Sequence, residues 1–209
     1  MPRIASLLLG FALLALSATT CAAERYLEGK HYKPVSPPAA TAGGDGVEVV
    51  ELFWYGCGHC FSFEPILSAW LDKKPEGVDF RRVPAVFAEN WVPHARAFYA
   101  AAALGASDKL HRPLFDAIHV DARKLFNEDS LIAFAAEVGI PEADFRQAYD
   151  GFAIDGKVKQ AMLATRDYQI DGVPSLIVAG KYRVTASMAG SQAEMLKVVE
   201  FLVAKERNR

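Results

Sequence analysis

The chain is 209 residues long, 52% hydrophobic and 23% charged, with 23 basic and 25 acidic side chains for a formal net charge of −2. That much apolar material can bury one good core without structural disulfides. The charges are mixed in sign along the chain rather than gathered in blocks, which argues against a nucleic-acid partner.

Residues 1–23 read as a secretory signal peptide: Arg3 precedes an apolar run over 4–16, followed by Ser17, Ala18, Thr19, Thr20, Cys21, Ala22 and Ala23. As a helix the run would be roughly 20 Å long, short of the roughly 30 Å hydrocarbon thickness of a bilayer, so it predicts a cleaved leader, not an anchor. Cleavage after Ala23 is expected, with small residues at Cys21 and Ala23. Lipidation of Cys21 is the rival reading, but Ala18-Thr19-Thr20 fits a lipoprotein signal poorly. The exported chain then keeps two cysteines.

Residues 24–46 form a polar lead-in with Pro34, Pro37, Pro38 and the turn-forming Gly43-Gly44-Asp45-Gly46, with a short edge strand near residues 31–33. Residues 47–55 are β-branched, aromatic and nearly continuously apolar in their second half, the pattern of a central strand covered on both faces. Beyond Gly56 and Cys57, the residues Phe61, Phe63, Ile66, Leu67, Trp70 and Leu71 recur at helical spacing. Cys57 therefore sits where a strand becomes a helix.

Further strands are expected at 78–83, 173–178 and 181–184, the last two joined by a turn at Gly180. Between the second and third lie about ninety residues that read as helical, including 93–104 with stop Gly105, 108–119, 129–138 with stop Gly139, and 141–149 with proline at its start. A last helix over 193–205 has Ser191 and Glu194 in capping-box spacing and Leu196, Val199, Leu202 and Val203 on one face. The fold class is α/β, a strand-and-helix domain over 47–90 and 154–209 interrupted by an all-helical subdomain over 91–153.

The chemistry concentrates in Cys57-Gly58-His59-Cys60. Two cysteines three positions apart, in an oxidising compartment, are more plausibly chemical than architectural. At a helix start the first sulfur is exposed and the second points inward, making Cys57 the nucleophile and Cys60 the resolving thiol. The free N–H groups and dipole of the helix N-terminus favour a Cys57 thiolate. A stabilised thiolate favours the reduced enzyme and so makes the disulfide oxidising. His59 adds a hydrogen bond or positive charge beside the same sulfur; its alternative is a solvated loop histidine.

Three other uses of a C-x-x-C fit less well. Structural zinc wants four ligands, and no second cysteine pair accompanies the scattered His31, His94, His111 and His119, so no metal site is assigned. Covalent haem needs histidine directly after the second cysteine, where Phe61 stands. A plain structural disulfide here closes too small a loop to constrain much of the unfolded chain.

These features together resemble the DsbA thiol oxidases of the bacterial periplasm. The resemblance covers essentially the whole exported chain: the signal peptide, Glu51-Leu52-Phe53-Trp54-Tyr55-Gly56 leading into the cysteines, the helical insertion, and Gly172-Val173-Pro174 before a late strand. It implies a thioredoxin-like fold. It also implies that Val173-Pro174 is a cis-proline loop beside Cys57 that offers the Val173 backbone to an extended substrate chain. By the same resemblance Glu51 is an acidic residue beneath the active site that helps move the proton of the buried cysteine, and Glu64, one turn after Cys60, matches a second carboxylate whose alternative is a helix-surface charge. The departure is Gly58, where many members carry proline.

The resemblance further implies a periplasmic dithiol oxidase with no bound cofactor, which accepts electrons from reduced exported proteins and passes them to a membrane quinone-linked oxidase of the DsbB type. The short lead-in argues for a monomer rather than a dimeric isomerase or reductase. Outside redox chemistry, the rival readings are a peptide-binding module with inert cysteines and a zinc-binding scaffold. Of Trp91, Phe98, Tyr99, Phe115, Phe126, Phe134 and Phe145, most are expected in the core rather than in a substrate groove.

Overall fold

A computed structural model describes residues 25–208; the expected signal peptide and Cys21 lie outside them. Among the described residues no helix is long and apolar enough to cross a membrane.

Five strands make one mixed sheet in the order β1-β5-β4-β2-β3: β1 Lys33–Pro34, β2 Val47–Phe53, β3 Val78–Pro84, β4 Ser175–Val178 and β5 Tyr182–Thr185. The central strand β2 pairs parallel with β3 and antiparallel with β4. Its parallel neighbour is reached through a crossover helix, α1 Gly58–Leu71, as parallel pairing requires. The β4–β5 hairpin turns through Ala179 and Gly180, both at positive φ. A Cβ on Gly180 would lie 2.2 Å from the Ala39 carbonyl oxygen, so glycine there lets the lead-in dock on the turn.

Alternation along β2 separates two cores. Val49 faces Phe63, Leu67 and Trp70 of α1, together with Met195, Leu196, Val199 and Leu202 of the last helix, α8, Gln192–Arg207. Val50 and Leu52 face the opposite layer, where Ile154, Val158 and Ala161 of α6 Phe152–Asp167 cover the sheet. Between β3 and α6 run α2 Val92–Ala103, α3 Ser107–His119, α4 Glu128–Glu137 and α5 Glu142–Tyr149. They close a third core around Phe115, Leu114, Leu131, Ile132 and Phe145, and the strand end contributes Phe53 and Tyr55 to it. The active-site segment is thus sandwiched between the sheet domain and the helical layer.

The sequence places these elements to within a few residues, with specific corrections. Val173 and Pro174 stand in the loop before β4, which begins only at Ser175. Helix α6 and the four-residue α7 Ala186–Ala189 have no separate counterpart among the expected helices. Ser191 caps α8 by accepting from the Glu194 amide, but the Glu194 carboxylate is taken by the Tyr26 hydroxyl and Lys197, so the reciprocal half of the capping box is missing.

Candidate active site

Helix α1 starts at the redox motif because Cys57 itself is its N-cap, in extended conformation with its side chain accepting from the Cys60 amide. The buried stripe Cys60, Phe63, Glu64, Leu67 and Trp70 then follows helical spacing and presses α1 onto the sheet. Both cysteines are free thiols in this structure. Cys57 is half-buried at the surface, whereas Cys60 is fully enclosed.

The two sulfurs live in opposite environments. The Cys57 thiol is drawn down to about 6, first by the hydrogen bond that the Cys60 thiol donates to its sulfur. Partial burial opposes this, and the Cys60 and His59 amides and the His59 charge reinforce it. Helix-start N–H groups and a neighbouring donor thus stabilise the thiolate. Burial pushes the Cys60 thiol well up, and its donated hydrogen bond and the nearby Glu51 charge push the same way. Cys57 is the more exposed of the two sulfurs and Cys60 the enclosed one, the arrangement expected at a helix start. His59 is exposed and ranks last among the influences on Cys57; its carbonyl accepts from the Gln192 side chain at 2.7 Å.

The Val173–Pro174 peptide is cis and lies against the motif, with the Val173 carbonyl 3.5 Å from Cys57 Sγ. The Ser175 hydroxyl donates to the Gly172 carbonyl at 2.7 Å and ties the loop to β4. Beside it opens a groove of about 560 Å³ whose walls include His59, Ser62, Val173, Pro174, Ser187 and Gln192.

Beneath the cysteines lies a buried charge cluster. Glu51 is fully buried and accepts from Arg82 Nε at 3.0 Å; Arg82 also reaches Glu64 at 3.3 Å. Burial raises the Glu51 carboxyl to about 8, with the Arg82 charge opposing and the Glu64 charge assisting. Burial also works against Glu64, but His111 and Arg82 outweigh it and hold that carboxyl below its ordinary range.

A family profile described as DSBA-like thioredoxin domain matches residues 72–198. The chain is similar to the thiol:disulfide interchange protein DsbA of Azotobacter vinelandii, 41% identical over 184 residues, 88% of this chain and 83% of that protein. A match of that length necessarily spans the cysteine pair that the profile leaves out. The chain belongs to the DsbA family. Among solved structures, Pseudomonas aeruginosa DsbA superposes with a TM-score of 0.84 at 38% identity, covering 89% of this chain and 97% of that one. The DsbA from Xylella fastidiosa gives 0.81 at 31%, covering 87% and 97%. The fold is therefore thioredoxin-like and the protein is a thiol:disulfide oxidoreductase.

Several DsbA-site features were not readable from residue types alone. Glu64 is no helix-surface charge but is buried. Arg82, the cation that both carboxylates share, carries no signal in the sequence, because β3 alternation gives no hint of its partners. Three of the scattered histidines converge on Tyr55: His111 Nδ1 lies 2.9 Å from its hydroxyl, His119 Nε2 2.7 Å from its carbonyl, and the His94 ring stands edge-on at 5.7 Å. Among the described residues no group of His, Cys, Asp or Glu is arranged to hold a metal ion. Of the aromatics, Phe115, Phe134 and Phe145 are core as expected, but Phe126 is 43% exposed and Trp91 stacks on Trp54 at 4.1 Å.

Proposed function

We propose that this DsbA-family protein is a periplasmic dithiol oxidase that donates the Cys57–Cys60 disulfide to newly exported proteins. The observation that carries the reading is the asymmetry at the head of α1, where Cys57 is half-exposed and accepts hydrogen bonds from Cys60 while Cys60 is enclosed. A reduced form stabilised in this way makes the disulfide a good electron acceptor.

In the cycle, a substrate thiolate attacks Cys57 Sγ, the Cys57–Cys60 bond breaks, and Cys60 leaves with the electron pair and takes up a proton. A second substrate thiolate then attacks the substrate sulfur of the mixed disulfide and releases Cys57 as thiolate. Val173 and Pro174 hold the substrate as an added strand beside Cys57. Glu51 serves the proton of Cys60, and His59 tunes Cys57. The two electrons pass to a membrane quinone-linked oxidase of the DsbB type. In this reading the protein acts as a monomer. Within it we assign residues 47–90 and 154–209 to the thioredoxin-like domain and 91–153 to the helical insertion, although α6 begins slightly earlier, at Phe152.

Mixing the oxidised protein with a reduced two-cysteine peptide tests this. The peptide should emerge cyclised with one equivalent of reduced protein, and Cys57→Ala should abolish the transfer. A pair that stays oxidised in strongly reducing glutathione buffer would instead be a structural disulfide.

A further inference from the structure

The buried cluster beneath the cysteines has a charge-balance problem that the helical insertion is placed to solve. Two carboxylates, Glu51 and Glu64, share the single guanidinium of Arg82. If both ionise, the cluster carries one uncompensated buried negative charge, which a low-dielectric interior strongly disfavours. Neutrality needs either a proton on one carboxyl or a second cation.

His111 of α3 is that second group. Its Nε2 lies 3.2 Å from Glu64 Oε1, at ion-pair separation, and neither atom has another hydrogen-bond partner among the described residues. On its other side, Nδ1 meets the Tyr55 hydroxyl at 2.9 Å. A tyrosine hydroxyl can donate to Nδ1 of a neutral ring or accept from Nδ1–H of a charged one. Tyr55 therefore holds the ring in the same place in either protonation state. The His111 side chain is 14% exposed, whereas Glu51 is fully enclosed, so His111 stands nearer the solvent.

We propose that His111 is a positioning residue that sets the charge of Glu51 through Glu64 and Arg82, taking up a solvent proton when Glu51 gives its own to Cys60. The balance closes. In the proposed cycle the step starts with Glu51 protonated, Glu64 ionised against Arg82 and His111 without its second proton, for a net charge of zero. When the substrate sulfur bonds to Cys57 and the Cys57–Cys60 bond breaks, Cys60 leaves as thiolate and receives the Glu51 proton. Two carboxylates now face Arg82, and protonation of His111 restores zero.

The groups facing this exchange are Cys60 and Glu64 from α1, Arg82 from β3, Tyr55 after β2, and Arg112 from α3, whose charge reaches Glu64. The Phe98 ring of α2 packs near His111 without charge, and His94 of the same helix touches the Tyr55 ring and is neutral above about 4.

The inference rests on the assignment of Glu51 to the Cys60 proton, and its test reads Glu51 directly. In the reduced protein labelled at the glutamate carboxyl carbon, NMR follows the Glu51 resonance from about pH 4 to about pH 10 in the wild type, His111→Gln, Glu64→Gln and the double variant. His111→Gln should raise the proton affinity of Glu51 about tenfold, Glu64→Gln should lower it, and His111→Gln should add nothing on the Glu64→Gln background. Circular dichroism checks that each variant is folded; should His111→Gln fail to fold, His111→Asn with the same readout replaces it. An unmoved Glu51 titration in a folded His111 variant overturns the proposal, as does an equal shift with and without Glu64. Peptide oxidation by the wild type, run alongside, shows whether the oxidase reading stands independently of that result.

Discussion

The Cys60 amide lies 3.4 Å from Cys57 Sγ, so the enclosed cysteine stabilises its exposed neighbour through its backbone as well as its thiol. The helix start matters to Cys57 chiefly through this one residue, and His59, exposed to water, matters least. Alkylation of the reduced protein should therefore follow a thiolate with a midpoint of about 6. Cys60→Ala should raise that midpoint by more than about one pH unit, and His59→Ala by less. A larger effect from His59→Ala would overturn the ranking.

The depressed Cys57 value also couples redox state to stability. Its folded value of about 6 lies below the ordinary 9.0, so the thiolate stabilises the folded reduced protein above the ordinary value, and this is lost as pH falls through about 6. The oxidised protein has no thiol to titrate at this position. The thermal midpoint of the reduced form, relative to the oxidised form, is expected to climb between pH 6 and 9 and to be flat below. In Cys57→Ser, which cannot form the disulfide and is compared with the same oxidised wild type, the climb should vanish, and a slope that survives there would assign it to other groups.

Much of this site was legible in the sequence because short-range spacing dictates it. The C-x-x-C sits where a β-branched run gives way to a helical repeat, and from Cys60 the same repeat passes through Phe63 and Leu67, which are buried. Glu64 lies on that stripe, so its burial was in principle readable; a charged side chain at such a position implies a buried partner. What the spacing does not contain is the partner itself. Arg82 and His111 are 18 and 47 positions from Glu64 and reach it only when β3 pairs with β2 and α3 folds over α1. The same holds for Trp54, whose stacking on Trp91 depends on where the chain leaves β3 for the insertion.

That stack explains the glycine before Cys57. A Cβ on Gly56 would come within 2.4 Å of the Trp54 ring, and Trp91, parallel at 4.1 Å, backs the ring from behind. Gly56→Ala should cost about 1–3 kcal/mol, the usual penalty of overpacking a filled site, measured by urea unfolding. It should also slow peptide oxidation, because the displaced backbone leads directly into Cys57. Wild-type stability in this variant would show that the Trp54 indole can swing away.

His94 supplies a last and independent test, in acid. It is 1% exposed among Trp54, Tyr55 and Phe126, and its Nε2–H donates to the Leu125 carbonyl at 2.6 Å while Nδ1 has no partner among the described residues. Burial, the largest influence, lowers its value from 6.5 to about 4, against the help of the Leu125 carbonyl. The folded ring therefore stays neutral while the unfolded ring takes a proton, so stability falls as pH drops from 6.5 to about 4 and levels off below. The gap corresponds to at most about 3 kcal/mol. Replacing the ring by glutamine keeps a donor for Leu125 but removes the titration. His94→Gln should start less stable at pH 7 by about 1–2 kcal/mol from imperfect packing and then lose less than the wild type on acidification, so that the two unfolding curves cross between about pH 5 and about pH 6 and the variant is the more stable near pH 4. Parallel acid limbs in the two proteins would mean that the carboxylates alone drive the acid transition and that His94 is free to charge in place.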